Sequence, residues 1–205
     1  MITKILLIRH AQTIANENDL FGGITDYPLS ENGKIQAQNL VNRLKDIDID
    51  EIYSSPLTRT KQTIQPTSEK LNKEIKIEDD LREIYVGTWE GKPREELRKK
   101  YPKINKKIDE TEFYTGMEGQ EETDEVAKRM VKAITKIAKE NEGKTIVIVS
   151  HCVAIRAFLC EILDIPFEQT KSKIGDIENT SITFIDYNNE SDEFKVLRIG
   201  STQEQ

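Results

Sequence analysis

Two apolar runs in the chain each end in a histidine. Residues 5–8 are all apolar and lead directly to Arg9 and His10, and residues 145–149 are mostly apolar and lead through one serine to His151. Continuous apolar runs of this length predict strands that are buried on both faces of a sheet. The carboxyl ends of such strands form the edge where ligands bind in open α/β sheets. If the two strands are parallel neighbours, His10 and His151, the only histidines in the sequence, meet in one pocket.

Helical and extended patterns alternate along the rest of the chain. Spacing and composition predict helices over residues 31–46, 56–71, 93–112, 122–141 and 153–163. Short apolar or alternating stretches predict strands over residues 3–9, 47–54, 75–78, 145–149, 181–187 and 194–199, the last two joined as a terminal hairpin. Strands that alternate with helices favour an α/β fold, a three-layer α/β/α sandwich with a mostly parallel central sheet.

The helix over residues 31–46 has a defined start and a predicted buried face. Ser30 suits the N-cap position, because its hydroxyl can accept a hydrogen bond from a free backbone N–H of the first turn. The apolar residues of this helix are expected to face the core together: Ile35, Leu40, Val41 and Leu44. The apolar stripe of the helix over residues 122–141 is likewise interpreted as core and not as a cofactor site.

Length and charge narrow the function classes. The 205 residues fit a single domain over residues 1–205, with a small cap-like insertion around residues 92–121. The net charge of -7 argues against general affinity for nucleic acid or for an acidic membrane surface. An anionic substrate would therefore need a local cluster of cations, and Arg9 and Arg59 are the candidates.

Several features favour a cytoplasmic location. The sequence has no apolar run long enough to span a bilayer, and the N-terminal run is too short for a signal peptide. Cys152 and Cys160 are predicted to lie on one helix, about 12 Å apart along its axis, which is too far for a disulfide. This cysteine usage fits a reducing compartment, and the chain has no cysteine–histidine spacing typical of a metal site.

The residues available for chemistry favour phosphoryl transfer. The sequence lacks the glycine-rich phosphate loops of nucleotide-binding proteins and the Gly-x-Ser-x-Gly motif of serine hydrolases. Two histidines remain, together with arginines and acids. Arginine matches the planar arrangement of phosphate oxygens, a neutral imidazole can attack phosphorus, and a carboxylic acid can protonate the leaving oxygen.

Six segments carry a further signal, because they follow one another in a characteristic order. They are Leu-Ile-Arg-His-Ala-Gln-Thr at residues 7–13 and the segments at residues 23–33, 54–63, 81–91, 148–151 and 179–181. Together they resemble the motifs of the histidine phosphatase superfamily, the phosphoglycerate mutase-like family. The resemblance implies the fold of that family and an enzyme that works through phosphohistidine.

The resemblance also implies a role for each matching residue. His10 would be the nucleophile, and Glu83 would protonate the leaving oxygen and then activate water. The phosphoryl group would be held by Arg9, Asn16, Gly23, Arg59, His151 and Cys152, the glycine and the cysteine acting through the nearby backbone. Neither a metal nor another cofactor is implied, because arginines and histidines occupy the place of a cation.

Two positions depart from the family pattern. Ala11 and Cys152 stand where the family places glycines. If either backbone needed a positive φ, a side chain there would cost on the order of 1 kcal/mol. Otherwise the substitutions only narrow the pocket.

The leading hypothesis is a metal-independent phosphatase of the phosphatase branch, acting on a small phosphorylated metabolite as a monomer or homodimer. One alternative is a cofactor-dependent phosphoglycerate mutase, an isomerase. Mutases of this family carry a longer insertion with paired arginines, whereas residues 92–121 contain no Arg-Arg pair. Residues 93–97 resemble the phosphatase branch instead. The other alternative is a phosphate-binding module that has lost turnover.

Overall fold

A computed structural model describes residues 1–202. Its six strands are β1 (Ile2–Arg9), β2 (Glu51–Ser54), β3 (Ile75–Ile77), β4 (Thr145–Ser150), β5 (Ile182–Asn188) and β6 (Glu193–Ser201). The α-helices within this range are α1 (Ile14–Glu17), α2 (Glu31–Leu44), α3 (Thr58–Leu71), α4 (Arg94–Lys100), α5 (Pro102–Thr111), α6 (Thr123–Glu140), α7 (Cys152–Ile162) and α8 (Thr170–Lys173). The predicted strands and the terminal hairpin are confirmed.

The strands form one sheet in the order β3-β2-β4-β1-β5-β6. Strands β3, β2, β4 and β1 pair in parallel, and β5 pairs antiparallel with both β1 and β6. The register sets Ile8 beside Val149 and Arg9 beside Ser150. The two histidine-bearing strands are therefore parallel neighbours that end at the same edge, as the hypothesis of a shared pocket requires.

Strand β1 is buried on both faces, and its side chains divide between two layers. Ile5 and Leu7 belong to a core cluster that includes residues of α6 and α7, whereas Leu6 and Ile8 belong to a second cluster with residues of α2 and α3. All four side chains are at most 3% exposed. Helices thus cover both faces of the sheet, which confirms the three-layer sandwich.

Helix α2 begins after Ser30 as predicted, because the Ser30 hydroxyl accepts a hydrogen bond from the N–H of Gly33. Its predicted face is partly wrong, since Ile35 is 59% exposed. The buried positions are Gly33, Ala37, Leu40 and Leu44. Small residues occupy this face where the helix lies against the backbone of the loop after β1. A prediction made only from the positions of large apolar side chains therefore placed the buried face incorrectly.

The helix predicted over residues 93–112 is two helices. Tyr101 separates α4 from α5 with φ -129° and ψ 59°. Pro102 follows it, and a proline disfavours helical geometry in the residue before it. Proline is well suited to begin α5, because the first helical N–H has no acceptor within the helix.

No helix within residues 1–202 is long and apolar enough to cross a membrane. Cys152 and Cys160 both lie on α7, and neither forms a disulfide.

Candidate active site

The ends of β1 and β4 bring His10 and His151 together. Their ring centroids are 5.2 Å apart, and the ring planes are inclined by 56°. Both side chains are buried, with 5% of His10 and none of His151 exposed. The two rings therefore lie next to each other at the sheet edge, as the two strands predicted.

His10 is held in a single orientation with one ring nitrogen committed. Its backbone N–H donates to the carbonyl of Ser150 at 3.0 Å, and its carbonyl accepts from Asn179 Nδ2 at 2.8 Å. Nδ1 lies 2.7 Å from the carbonyl oxygen of Ala11. A carbonyl only accepts, so Nδ1 carries the proton and Nε2 keeps its lone pair. Burial, followed by the charges of Arg59 and Arg9, lowers the pKa of His10 well below 6.5, which keeps the ring neutral.

Two arginines supply positive charge next to the histidines. Arg59, 3% exposed, donates from Nη1 to the carbonyl of Thr25 at 2.9 Å and from Nη2 to that of Gly23 at 2.6 Å. Arg9 donates from Nη1 to the carbonyl of Ile177 at 2.6 Å, and its buried Nε has no hydrogen-bond partner among the described residues. Within residues 1–202, no carboxylate oxygen lies within 4.0 Å of either guanidinium. These cations are therefore available to an anionic ligand.

The carboxylate of Glu83 lies at the N-terminus of α7. It is 8% exposed and accepts backbone N–H bonds from Ile84 at 2.9 Å, Ala154 at 3.0 Å and Val153 at 3.2 Å. Three such donors and the positive end of the helix dipole stabilise its negative charge.

A cavity of about 440 Å³ opens at this edge of the sheet. Most of the predicted site residues line it: Arg9, His10, Asn16, Gly23, Arg59, Glu83 and Cys152. His151 lies outside this lining and is fully buried. Asn16 uses its side-chain oxygen to accept from the N–H and hydroxyl of Thr13, both at 3.0 Å. The cavity thus combines a basic nitrogen, two cations and a carboxylate.

Comparison with known proteins identifies the family. A profile of the histidine phosphatase superfamily (branch 1) matches residues 5–200. The chain belongs to this superfamily. Phosphoserine phosphatase 1 of Hydrogenobacter thermophilus is 35% identical over 164 residues, which cover 80% of this chain and 78% of that protein. The superfamily and this relative support a phosphatase or mutase-like hydrolase.

Solved structures show the same architecture. Bacillus stearothermophilus YhfR has a TM-score of 0.90 at 28% identity, with 98% of each chain covered. A mutant phosphoserine phosphatase from Entamoeba histolytica, solved in complex with phosphoserine, has a TM-score of 0.83 at 29% identity, again covering 98% of each chain. The phosphoglycerate mutase-like α/β sandwich predicted from the sequence is confirmed.

The two departures from the family pattern introduce no backbone strain in this chain. Neither Ala11 nor Cys152 is among the described residues with positive φ. Ala11 is fully buried, and its N–H donates to the hydroxyl of Thr63 at 2.8 Å. The free-energy cost that a side chain carries at a position with positive φ therefore does not apply to Ala11 or Cys152.

Arg129 supports the candidate site, although sequence reasoning missed it. Its guanidinium donates to the carbonyls of Arg82 at 2.7 Å and Glu83 at 3.1 Å, and it binds the carboxylate of Glu121 through Nε at 2.8 Å and Nη2 at 3.0 Å. It thereby fixes the segment that presents Glu83. An arginine among the polar residues of an amphipathic helix gave no local signal of this role.

Glu90 was also missed as a supporting residue, although it lies in a segment that the motif comparison singled out. Its carboxylate accepts the N–H groups of Ile24 at 3.0 Å and Val86 at 3.1 Å. It therefore ties the loop that contains Gly23 to the segment that follows Glu83.

Proposed function

We propose that this protein is a metal-independent phosphatase that hydrolyses a small phosphomonoester through a phosphohistidine on His10. The observation that carries the proposal is the neutral ring of His10, with Nε2 unprotonated, beside the unneutralised guanidinium groups of Arg9 and Arg59. A neutral imidazole can act as the nucleophile, and the two cations can stabilise the charge on the transferred oxygens.

The described contacts leave donors for a phosphoryl group. A guanidinium has five N–H bonds. Arg59 uses three of them, toward Gly23, Thr25 and His151, and Arg9 has a buried Nε without a protein acceptor. We assign the amide nitrogen of Asn16 and the backbone N–H groups near Gly23 and Cys152 to the remaining phosphoryl oxygens. The assignment of His151 as a direct phosphoryl ligand stays a prediction. The ring does not line the cavity, and its nitrogens lie 3.1 Å from Arg59 Nε and 2.7 Å from the Ser55 hydroxyl, so direct binding would require one of these bonds to break.

The reaction proceeds in two displacements. The lone pair of His10 Nε2 attacks phosphorus, the bond from phosphorus to the ester oxygen breaks, and Glu83 gives a proton to the departing oxygen. A water molecule then loses a proton to Glu83 and attacks the phosphohistidine, which releases inorganic phosphate and restores His10. Glu83 therefore enters the first displacement as the carboxylic acid and the second as the carboxylate, which the three backbone donors stabilise, and the proton taken from water restores the acid.

Phosphoserine is the first substrate to test. Two relatives are named as phosphoserine phosphatases, and a cavity of about 440 Å³ is of a size that suits a small metabolite. Its outer wall carries charges of both signs, including Arg94, Asp109 and Arg156, which suits a polar substrate. We propose that residues 92–121 form a cap within a single domain, because Arg94, Arg98, Ile108 and Tyr114 all line the cavity. The cytoplasmic location and the monomeric or dimeric state stay predictions.

The deciding experiment measures phosphate release from p-nitrophenyl phosphate in EDTA for the wild type, His10→Ala and the exposed-site control Glu96→Gln. Turnover that survives EDTA, persists in Glu96→Gln and disappears in His10→Ala supports the proposal. Turnover that needs metal, or that persists without His10, contradicts it. Phosphoserine and other metabolites follow as substrates.

A separate assay distinguishes the mutase and the inactive binding module. The wild type is incubated with 3-phosphoglycerate and 2,3-bisphosphoglycerate, and the positional isomers are separated. Isomerisation that exceeds hydrolysis favours the mutase. Binding of inorganic phosphate without turnover of any ester favours the binding module.

A further inference from the structure

A chain of buried polar side chains leads from Thr60 to the guanidinium of Arg59. The Thr60 hydroxyl lies 2.9 Å from the hydroxyl of Ser55, which lies 2.7 Å from Nε2 of His151. On the opposite side of the ring, Nδ1 of His151 lies 3.1 Å from Nε of Arg59. Thr60, Ser55 and His151 are fully buried, so no bulk water competes for these bonds.

The direction of each bond follows from counting protons. The hydroxyl of Thr60 donates its only proton to backbone carbonyls, those of Leu57 at 2.7 Å and Ser55 at 3.1 Å. With that proton on a carbonyl, Thr60 accepts from the Ser55 hydroxyl at 2.9 Å. The Ser55 hydroxyl then donates to Thr60 and accepts both from the N–H of Leu57 at 3.3 Å and from Nε2 of His151. His151 consequently carries its proton on Nε2.

The contact between His151 and Arg59, at the other end of this series of hydrogen bonds, requires the same tautomer of His151. Nε of an arginine only donates, so Nδ1 of His151 must accept from Arg59 and cannot carry a proton. Burial, followed by the charges of Arg59 and His10, lowers the pKa of His151 well below 6.5, in agreement with a neutral ring. A neutral ring with Nδ1 free of its proton must bear it on Nε2.

We propose that Ser55 is a positioning residue for phosphoryl transfer, which holds His151 in the Nε2–H tautomer so that Nδ1 fixes the guanidinium of Arg59. With Nε bound to His151 and Nη1 and Nη2 bound to the carbonyls of Thr25 and Gly23, two N–H bonds of Arg59 remain for the ligand. In the opposite tautomer two N–H groups would face each other, and Arg59 would lose this support. The inference rests on the function proposed above.

The tautomer is read directly by ¹⁵N–¹H correlation spectra of the histidine rings. The chain has two histidines, so the wild-type spectrum contains two ring systems, and His10→Gln assigns them. We expect the Nε2–H form of His151 in the wild type. Thr60→Val removes the acceptor of the Ser55 proton, and Ser55→Ala removes the acceptor of the His151 proton. In both variants the Nε2–H form should lose population to the Nδ1–H form, in which the bond from Arg59 Nε to Nδ1 is broken. Thr60→Ser keeps the hydroxyl and should restore the wild-type spectrum.

The functional readout is binding of inorganic phosphate, measured by calorimetry. We expect Ser55→Ala and Thr60→Val to raise Kd about tenfold, the size of effect that loss of one hydrogen bond to a charged group produces. The matched control is Ser54→Ala, because Ser54 is also fully buried but its hydroxyl donates to the carbonyl of Ser55 and does not contact His151. Its Kd should stay at the wild-type value.

Each result has a defined meaning. An Nδ1–H form of His151 in the wild type, or wild-type spectra and Kd values in both Ser55→Ala and Thr60→Val, would overturn the inference. If Ser55→Ala does not fold, the wild-type spectrum and the nearly isosteric Thr60→Val variant still decide. Failure of the proposed function is distinguished from failure of this inference, because it shows as absence of phosphate binding and turnover in the wild type while the tautomer spectrum is unaffected.

Discussion

Glu90 accepts two hydrogen bonds from Thr25, one from its backbone N–H at 2.9 Å and one from its hydroxyl at 2.6 Å. The carbonyl of the same Thr25 accepts from Arg59 Nη1 at 2.9 Å. Glu90 therefore determines the position of Arg59 through one intervening residue. A carboxylate is required because four donors converge on it, and a carboxylate offers acceptor sites on both oxygens.

Glu90→Gln should weaken both the fold and substrate binding. The amide nitrogen of glutamine would face N–H or O–H donors, which leaves partly buried donors unsatisfied at a cost of about 1 kcal/mol in the free energy of unfolding. Because the loop that holds Arg59 loosens, KM for p-nitrophenyl phosphate should rise more than kcat falls. Urea unfolding and steady-state kinetics measure the two effects. The exposed control Glu96→Gln should match the wild type in both, and equal behaviour of the two variants would refute the role of Glu90.

Gly33→Ala tests the close approach of α2 to the loop that follows His10. A Cβ at position 33 would lie 1.9 Å from the backbone carbonyl oxygen of Gln12, so helix and loop must separate. We expect a loss of about 1–3 kcal/mol in unfolding free energy, typical of overpacking. The control is Gly22→Ala, whose Cβ would only touch the Ala15 side chain at 3.9 Å. A Gly33→Ala protein as stable as the control would show that this contact can relax.

Arg129→Met should break a buried ion pair and release the segment before Glu83. We expect a loss of about 2 kcal/mol at neutral pH, because Glu121 would lose the closer of its two arginine partners and keep only Arg82, at 3.4 Å. Burial raises the pKa of Glu121, but Arg129, together with the N–H of Tyr85 and the charge of Arg82, outweighs burial and holds this pKa below 4.5. This contribution is present above pH 4.5 and is lost as the pH falls toward the lower folded value.

The difference in unfolding free energy between wild type and Arg129→Met should therefore shrink as the solution is acidified through that range. Denaturant titrations at a series of pH values measure it. Lys128→Met, at a neighbouring exposed position of α6, should change stability little at any pH, since its ion pair with Asp124 is exposed. A difference that does not depend on pH would argue against the Glu121 pairing as its source.

The two buried histidines predict a second pH effect, at higher pH. Burial is the largest cause that lowers the pKa of both rings, and the positive charge of Arg59 is the next. The unfolded chain therefore binds protons below pH 6.5 that the folded protein excludes. Stability should fall as the pH decreases from 6.5 toward the lower folded values and should be insensitive to these groups above it.

Urea unfolding at a series of pH values from neutral to about pH 5 measures how steeply the free energy of unfolding changes with pH. Replacing His10 by glutamine, which does not titrate, should reduce the slope, while the wild type and Glu96→Gln should share the same one. A slope that His10→Gln leaves unchanged would show that this ring is not the group that takes up the proton.

The local part of the structure could be predicted from the sequence. The apolar runs before His10 and His151 specify buried strands, and side chains that directly follow such strands lie at an edge of the sheet. The motif order further identified Arg59 and Glu83, and the structure brings both to the cavity with His10. The strand predictions depend only on neighbouring positions along the chain, whereas the roles of Arg59 and Glu83 were implied by the resemblance to the family.

Small residues show where local sequence patterns were not sufficient to predict which face of a helix is buried. Apolar spacing assigned Ile35 to the core, but α2 buries Gly33 and Ala37 because the loop backbone passes there. Whether a helix face is buried depends on what packs against it and not only on its own side chains.

The supports of the site were decided only by tertiary structure. Ser55 and His151 are 96 residues apart in sequence, and Glu90 and Thr25 are 65 apart. Ser55 meets His151 because β2 and β4 lie side by side in the sheet, and no periodicity within one element encodes that neighbourhood. The sequence by itself determined which groups are available for phosphoryl chemistry. The packing of distant segments determined the tautomer, charge state and orientation in which those groups are held, because these depend on burial and on hydrogen-bond partners contributed by other elements.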